Sequence, residues 1–508
     1  MKRIMFIRGL LAGTALFVGT PALAQEPEAQ PDPSDTTADA AIAQASELDD
    51  AQAKIELLQA QVEALQESIA QIQAAQAKSV PSWKGAPELA DKDSGFTFKP
   101  KGFMQFDAGY VGFPHGEERA GTVGGLNYNN LGWNTRARRL VFGAEGSLPG
   151  GFKYKAEFNL AQGTVDYEDI LLSYDFKNSP LTVTVGNFYP YSSLETVTSS
   201  RLGSMLERAS FTDAFNYNRR LGIGLSLADK TADRYTAAIG IFSQPINDAS
   251  FARTGWEVGG RATYSPPIGG GFVHLGASAH YRKNQRDSQG QQYRARPLTQ
   301  VTDQRFVDSG TIASDGDMAL GLELGGVFES LHFAAEAQKL WIDGYDPTDS
   351  LSEPNDLIAG NRYNKDPSFE GGYFELGYYF TGESRGYKGG KWDRTKVKKL
   401  FGQGGLGAIQ LNGRIDYLQL TDKVGGTPVL TGGYPSGSTS AYVNGGRQIG
   451  YQLSLIWNPM DYVRFMAQYG HVDIKGGPRA ATVDPDGPLD SRRSYGVDTA
   501  AIRAQLEF

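Results

Sequence analysis

Three side chains near the middle of the chain have the residue types of a hydrolytic site. His274, Ser278 and His280 lie in one segment of alternating apolar and polar residues. In an extended strand all three face the same side, but alternate neighbours are about 6–7 Å apart, too far for a direct bond between a serine nucleophile and a histidine base. No nucleophile motif surrounds them. We therefore interpret them as polar lining residues and predict that the protein is not an enzyme.

The composition argues against several other chemistries. The chain has no cysteine and only five histidines, so neither a thiolate metal site nor a cysteine nucleophile is available. We predict no metal and no cofactor. Residues 81–508 have a net charge of only −2 within a total of −8. Because a nucleic-acid-binding surface needs a basic stripe, we also expect no nucleic-acid partner.

The N-terminus has the pattern of an export signal. Residues 1–24 combine three basic residues with an apolar stretch and end in Ala22-Leu23-Ala24, which resembles a signal-peptidase site. Residues 25–40 are rich in proline, aspartate and alanine, which is typical of a flexible linker. The sequence therefore predicts a signal peptide followed by a linker in an exported protein.

Residues 41–79 contain heptad repeats. One apolar series has a spacing of seven residues, and a second series is offset from it by three: Leu48, Ile55, Val62 and Ile69, then Ala51, Leu58, Leu65 and Ile72. This pattern predicts a coiled coil. Isoleucine at both positions of the last heptad favours more than two strands, whereas the earlier leucines allow a dimer. A single amphipathic helix lying on a barrel or membrane is the alternative interpretation.

After Val80-Pro81 the apolar period changes from about 3.5 residues to two. Sixteen alternating segments follow, most of the length that a tilted strand needs to cross a bilayer. They lie near 103–111, 138–147, 152–160, 167–176, 181–188, 220–227, 234–242, 255–264, 272–282, 317–328, 331–341, 370–380, 406–420, 447–457, 462–473 and 497–508.

The connections between these segments alternate between short and long. That alternation is typical of an outer-membrane barrel, with short turns in the periplasm and long loops outside. The exception is Thr381–Gly405, which is long but falls on the short-turn side. Residues 96–508 are therefore predicted to form an all-β, 16-stranded antiparallel transmembrane barrel. An even number of strands puts the first and last residues of the barrel on the same side, the periplasm. The coiled coil that precedes the barrel is therefore also predicted to be periplasmic.

Over residues 96–508 the chain resembles the phosphate-selective porin O and P family. The matching segments are Gln105–Asp107, Arg139–Gly146, Lys153–Phe158, Leu194–Arg201, Met205–Arg208, Arg220–Gly224, Thr381–Arg385, Gly446–Gln448 and the last strand. The resemblance implies a homotrimeric outer-membrane channel that passes small anions such as phosphate. It also implies that the loop Tyr189–Arg219 folds into the lumen and sets the constriction. The coiled coil occurs in many members, and a trimeric pore would bring three such helices together.

The candidate pore residues come from this loop and from inward positions of the strands. They are Arg201, Arg208, Arg219, Arg139, Lys153, Lys155, Glu195 and Asp107. Arg201 and Arg208 either line the ion path or fix the loop through salt bridges, and the sequence leaves both roles open. Because the inward wall positions carry bases and acids in similar number, the charge pattern predicts only a weak anion preference. A general or organic-solute nutrient porin, and a structural outer-membrane anchor, are the alternative functions.

Two further basic segments have several possible roles. The segment from Arg385 to Lys399 carries seven basic residues, which suit either a solvated turn or a collector of periplasmic anions. The fifth long loop and its start carry six basic residues: Arg282, Lys283, Arg286, Arg294, Arg296 and Arg305. These residues could draw anions to the mouth, bind the phosphates of lipopolysaccharide, or bridge neighbouring subunits. We therefore expect outer-membrane lipid and lipopolysaccharide among the partners.

Overall fold

The computed structural model describes residues 36–79, 82–91, 94–114, 122–123, 126–127, 130–246, 255–284, 290–345, 360–363, 365–424, 442–478 and 494–508. The predicted signal peptide and most of the predicted linker lie outside these residues. The chain divides into two units, one ending at Val80 and the other starting at Pro81. The first unit is helical and the second is a β-barrel.

Helix α1 (Thr36–Ser79) has 44 residues and contains the predicted heptads. It begins inside the segment predicted as linker. The described seam residues are exposed, for example Leu48 by 67% and Leu65 by 61%. The structure holds one chain, so it shows the helix and not the predicted coiled coil. No described helix is long and apolar enough to cross a membrane.

The second unit is a closed sheet of sixteen antiparallel strands, in which β16 pairs with β1. The strands are β1 (Thr97–Val111), β2 (Gly132–Leu148), β3 (Phe152–Asn159), β4 (Asp166–Asp175), β5 (Leu181–Phe188), β6 (Arg220–Ala228), β7 (Tyr235–Phe242), β8 (Trp256–Tyr264), β9 (Gly271–Lys283), β10 (Ser314–Phe328), β11 (Leu331–Gly344), β12 (Ser368–Tyr379), β13 (Ala408–Lys423), β14 (Tyr442–Met460), β15 (Val463–Lys475) and β16 (Ser494–Glu507).

The predicted 16-stranded barrel is confirmed, and each predicted strand overlaps an observed one. The reason is the period of two, since alternate side chains of a strand face opposite sides of the sheet. In β13, Gln410, Asn412 and Arg414 are buried toward the lumen, while Ile415 on the opposite face is 52% exposed. The outward face therefore presents apolar side chains, as a membrane-spanning barrel requires.

Short elements occupy the turns and loops. The helical ones are α2 (Leu194–Val197), α3 (Ser210–Phe215) and the 3₁₀ turns Pro149–Gly151, Ala161–Gly163 and Ser200–Leu202. The short strands are Ser82–Lys84, Ala86–Ala90, Thr122–Val123, Leu126–Asn127, Pro267–Ile268, Gln291–Ala295, Val307–Ile312, Gly386–Lys388 and Lys391–Asp393.

Three connections contribute buried side chains to the barrel interior. We name them L3 (residues 189–219), L5 (residues 290–313) and the turn loop (residues 380–407). Their buried apolar side chains include Phe211 from L3, Tyr293 from L5 and Trp392 from the turn loop, and all three belong to one apolar cluster. The core of this protein is therefore built inside the barrel by loops, which leaves only part of the lumen open.

Candidate functional site

L3 is held against one half of the barrel wall by buried polar side chains. Asp416 Oδ2 accepts a hydrogen bond from the Ser210 amide at 2.8 Å, and Gln468 Oε1 accepts one from the Leu206 amide at 2.8 Å. Arg503 Nη1 donates to the Leu206 carbonyl at 2.6 Å. Strands β13 to β16 supply these partners, so inward polar residues in this half of the barrel position the loop.

Glu195 fastens the start of L3 to the same wall. Its Oε1 lies 2.8 Å from Arg414 Nη2, and its Oε2 accepts a hydrogen bond from the Ala209 amide at 2.7 Å. The helix that carries it, α2, begins after Ser193, whose hydroxyl accepts a hydrogen bond from the Thr196 amide at 3.3 Å. Glu195, one of the candidates from the sequence, therefore lies between L3 and the barrel wall. It lines a small crevice between them.

The turn loop enters the lumen from the side of the short turns. The Trp392 indole is 4% exposed, and the Arg385 guanidinium lies over its ring at 4.4 Å. Gly390 has φ +72°, and a Cβ on it would come within 2.8 Å of Thr236 Oγ1. The interpretation of this basic segment as a solvated turn is therefore wrong for Arg385 and Trp392, because the loop packs inside the barrel.

Two adjoining cavities lie among the described residues of the barrel interior. The outer cavity has a volume of about 170 Å³ and lies between L3 and L5. The inner chamber has a volume of about 620 Å³ and lies between L3, the turn loop and strands of the β1–β5 side. Five residues line both and therefore surround the point where they meet, which we name the neck. They are Arg138, Arg139, Tyr189, Arg208 and Asn218.

Two consecutive arginines reach the neck because of a β-bulge. In the pairing of β1 with β2, Gln105 faces Arg139 and Phe106 faces Ala137, so Arg138 is an extra residue on its strand. A regular strand would point neighbouring side chains to opposite faces, and a bulge can redirect one of them. Sequence reasoning identified Arg139 and missed Arg138. The signal available was the run Arg136-Ala137-Arg138-Arg139 itself.

Arg208 is held without a carboxylate partner among the described residues. Its guanidinium donates to the Glu195 carbonyl at 3.1 Å, to the Thr196 carbonyl at 3.0 Å, to the Thr198 carbonyl at 3.2 Å and to Tyr189 Oη at 3.1 Å. Neutral acceptors fix the side chain in place and leave its charge uncompensated at contact distance. Arg208 thus fixes the loop through neutral acceptors and not through the salt bridges considered for it, and it also lines both cavities.

Charged groups in L3 and on the adjoining wall shift the pKa values of two L3 residues. Burial by itself would raise the pKa of Tyr189, but the Arg208 and Arg219 guanidinium groups outweigh it and hold the pKa below its ordinary value. Burial would also raise the pKa of Glu207, and Arg138 and Arg503 outweigh it in the same way. Glu207 therefore stays ionised beside the neck, where it bonds Arg138 Nε at 2.8 Å.

The inner chamber holds a network of alternating charges. Arg219 Nε lies 2.5 Å from Asp169 Oδ1, and its Nη1 contacts Glu168. Lys155 Nζ lies 2.6 Å from Asp169 and 2.7 Å from Glu157. A second bulge makes this possible, because Glu168 and Asp169 together face Glu157 across the β3–β4 ladder. The predicted residues Lys155 and Arg219 therefore line the chamber as members of ion pairs.

The remaining candidates are placed in three different surroundings. Arg201 lines the inner chamber and pairs with Glu507 at 3.1 Å. Asp107 is 4% exposed and receives two hydrogen bonds from Arg503, at 2.6 and 2.7 Å. Lys153 pairs with Asp175 at 2.5 Å, and its side chain is 58% exposed. It lines neither cavity. The structure thus brings Arg139, Arg208, Lys155, Arg219 and Arg201 to one passage, and Asp107 and Lys153 lie outside its lining.

The histidine strand faces the lumen, as its period predicts. His274 is fully buried, with Nδ1 2.6 Å from Tyr387 Oη and Nε2 3.0 Å from Glu323 Oε2. His280 contacts Glu257 at 3.1 Å. Both rings are thus engaged by neighbours other than Ser278, and within the described residues no group of three or more metal-ligating side chains occurs.

Comparison with known proteins agrees with this architecture. Residues 119–508 match the family described as phosphate-selective porin O and P. A protein of Caulobacter vibrioides described as uncharacterized is 35% identical over 444 residues, which cover 85% of this chain and 78% of the relative. Porin O of Pseudomonas aeruginosa is 25% identical over 355 residues, 67% of this chain and 76% of that protein.

Two solved structures have a related outline at low identity. The outer membrane channel DcaP of Acinetobacter baumannii is 11% identical with a TM-score of 0.44, covering 83% of this chain and 99% of that one. An anion-selective porin from Comamonas acidovorans is 11% identical with a TM-score of 0.42, covering 81% and 100%. The family assignment does not depend on them, because the family match spans most of the chain. The chain is an outer-membrane porin and belongs to the phosphate-selective porin O and P family.

Proposed function

We propose that the barrel is a passive-diffusion pore with a preference for small anions such as phosphate. The observation that supports this is the charge at the neck. Of the five residues that line both cavities, three are arginines: Arg138, Arg139 and Arg208. The other two, Tyr189 and Asn218, are not acidic. A narrow passage lined by one sign of charge concentrates the opposite ion, because low-dielectric walls focus the field.

The supply of compensating carboxylates at the neck is small. Glu207 is the nearest one to both wall arginines, at 2.8 Å from Arg138 and 4.0 Å from Arg139. The same carboxylate also pairs with Arg503 at 2.7 Å. Arg503 also pairs with Asp107 at 2.6 Å, so two carboxylates serve these three guanidinium groups among the described residues, and Arg208 adds a fourth. We infer that the neck carries net positive charge and binds a passing anion transiently.

A planar-bilayer measurement tests this function. The purified protein is placed in a potassium chloride gradient and its reversal potential is read, after which phosphate is added at constant chloride. We expect a potential on the anion side and a concentration-dependent block of chloride current by phosphate. A potential near zero or on the cation side would overturn the anion preference.

The inner chamber supports a second candidate, a general pore for organic solutes. Its volume of about 620 Å³ is within the range of small-molecule binding sites. Apart from the three neck arginines, it is lined by five basic and five acidic residues, so it presents partners for either end of a dipolar solute. Liposome swelling with neutral sugars, zwitterionic amino acids and anionic solutes of similar size distinguishes the two functions. Equal rates for neutral and anionic solutes would favour the general pore.

We also propose that the protein is a homotrimer whose α1 helices form a periplasmic coiled coil. The exposed seam supports this. Leu58 and Leu65 are each about 60% exposed, and burying them against other copies of the helix would stabilise the assembly. Leu58→Asp with Leu65→Asp should weaken the coil. Light scattering of the detergent-purified protein measures the mass, and a peptide of residues 36–79 measures association of the helix by itself. A monomeric wild-type peptide would contradict the coil.

A further inference from the structure

Asp303 of L5 lies between two arginines from different parts of the barrel. Its Oδ1 accepts hydrogen bonds from Arg136 Nη1 at 3.1 Å and from Arg296 Nη2 at 2.9 Å. Arg136 belongs to β2, two residues before the neck arginine Arg138, whereas Arg296 belongs to L5 and lines the outer cavity. Two guanidinium groups thus converge on one oxygen beside the passage.

Both arginines have other partners that hold them in place. Arg136 donates to the Gln300 carbonyl at 2.7 Å and to Gln162 Oε1 at 2.6 Å. Arg296 donates from Nε to the Thr302 carbonyl at 3.1 Å. Their side chains are each 18% exposed. Arg296 also lies 3.9 Å from Asp213, which is at the same distance from Arg305. Because the other partners of Arg136 are neutral and Asp213 serves two arginines, loss of the Asp303 charge would leave both cations in place with an excess of positive charge.

Asp303 itself is held loosely. Its side chain is 60% exposed, and within the described residues only Oδ1 accepts a hydrogen bond from another side chain. An exposed ion pair of this kind contributes little to stability, because water and salt screen it. A dissolved anion can therefore compete with the carboxylate for the same donors, and the loop does not depend strongly on the bond.

We infer that Asp303 is a tethered competitor that occupies an anion site formed by Arg136 and Arg296. The site takes small oxyanions or halides, the same class of ligand as the neck, and so the inference rests on the proposed function. While the Asp303 carboxylate is bound to Arg136 and Arg296, it weakens the electrostatic attraction of these two cations for an anion that enters the outer cavity. Asp303 thus lowers the anion preference of a pore whose arginines alone would make it higher.

The test compares Asp303→Asn with wild type in the planar bilayer, with phosphate and chloride as probes. Asparagine keeps the size of the side chain and removes its charge. We expect the half-blocking concentration of phosphate to fall about threefold at low salt, since that is the scale of an exposed ion pair. The chloride-to-potassium permeability ratio should rise in parallel. No change in either quantity would overturn the inference.

Asp308→Asn is the matched control, because it removes one negative charge from the same loop. Asp308 accepts hydrogen bonds from Gln292 Nε2 at 2.8 Å and from the Gly310 amide at 2.9 Å, and it is in no described ion pair. An equal effect of both substitutions would mean that only net charge matters, which contradicts a specific site. In the background Arg136→Gln with Arg296→Gln, Asp303→Asn should have no further effect.

These outcomes separate the inference from the proposed function. If wild type has no anion preference and Asp303→Asn gains one, the proposed function fails and the tethered competitor stands. If wild type prefers anions and Asp303→Asn is unchanged while Asp308→Asn is also unchanged, the function stands and the competitor is refuted.

Discussion

The outer cavity and the inner chamber adjoin at the neck but differ in how their charges are arranged. The outer cavity is lined by four arginines and two carboxylates. The inner chamber, apart from the neck, has equal numbers of bases and acids. Each charge arrangement is produced in part by a bulge. One bulge adds Arg138 beside Arg139, and the other places Glu168 beside Asp169.

The comparison teaches that charge excess, not charge density, separates a selective region from a merely polar one. In the chamber, each of the bases Lys155 and Arg219 contacts two carboxylates, so their fields largely cancel at a distance. At the neck, the hydrogen-bond acceptors of Arg208 among the described residues are all neutral oxygens. Selectivity should therefore be set over the short length of the neck and changed little by the wider chamber.

The largest effect is expected from Arg138→Gln with Arg139→Gln. Loss of two charged donors should weaken phosphate block by about a hundredfold, because each charged hydrogen bond contributes at least about 1.5 kcal/mol. The reversal potential should move toward zero. Phosphate titration in the bilayer measures the first quantity, and a salt gradient the second. If the double variant keeps the wild-type block, the neck is not where anions bind.

Arg208→Lys separates the charge of this residue from its role in fixing L3. Lysine keeps the positive charge but cannot make the same set of hydrogen bonds to three carbonyls and a phenol. We expect the anion preference to persist and open-channel current noise to increase, because the loop loses bonds to its own backbone. Arg208→Gln is the companion variant. It removes the charge as well as the hydrogen bonds, so we expect it to lose the anion preference and to show the increased current noise. Equal selectivity loss in the two variants would contradict the charge role.

Asp169→Asn should produce a smaller change in the opposite direction. It leaves the chamber with one more base than acid, while Arg219 keeps Glu168 and Lys155 keeps Glu157 as partners. The permeability ratio should shift modestly toward anions at 0.1 M salt and return toward wild type at 1 M, where the screening length is about 3 Å. A shift as large as that of the neck variants would show that the chamber also selects.

Lys153→Gln should have the smallest effect. The side chain is 58% exposed, pairs with Asp175 and lines neither cavity. We expect a permeability ratio and phosphate block equal to wild type within error, which makes this variant the charge-matched control for Arg208→Gln. A clear loss of anion preference would mean that the ion path extends to the turn side of β3.

The strands could be predicted from the sequence because their signal is local. Period-two alternation in segments such as 152–160 and 406–420 depends only on which face meets lipid, and each segment overlaps a strand. The loop site was partly predictable, through Arg201, Arg208 and Arg219 in L3. Glu195 was named as a pore residue, but its carboxylate bonds Arg414 and L3's own backbone amide, a contact that no local pattern reveals.

Other parts of the site depend on contacts that are distant in sequence. Arg138 is brought to the lumen by a bulge, which shifts the alternation by one residue and so hides the side chain from a period-two count. The segment around Trp392 resembles a solvated basic turn because its lysines are numerous, yet Trp392 is buried among loop and wall residues. Asp303 of L5 was not identified from the sequence, because what distinguishes it is its bond to Arg136 of β2, a residue distant in sequence.

The docking of L3 on late strands has a consequence for biogenesis. The Ser210 amide bonds Asp416 across 206 positions of chain, and the Leu206 carbonyl bonds Arg503 across 297. Contacts of such long range form late in folding, because much chain must first be ordered. An assembling barrel that lacks β13–β16 lacks these bonds and holds the loop through earlier strands alone, for example by Arg138 of β2 and Glu336 of β11. The last strand both adds bonds to L3 and seals the seam with β1, so the passage reaches its final width only as the barrel closes.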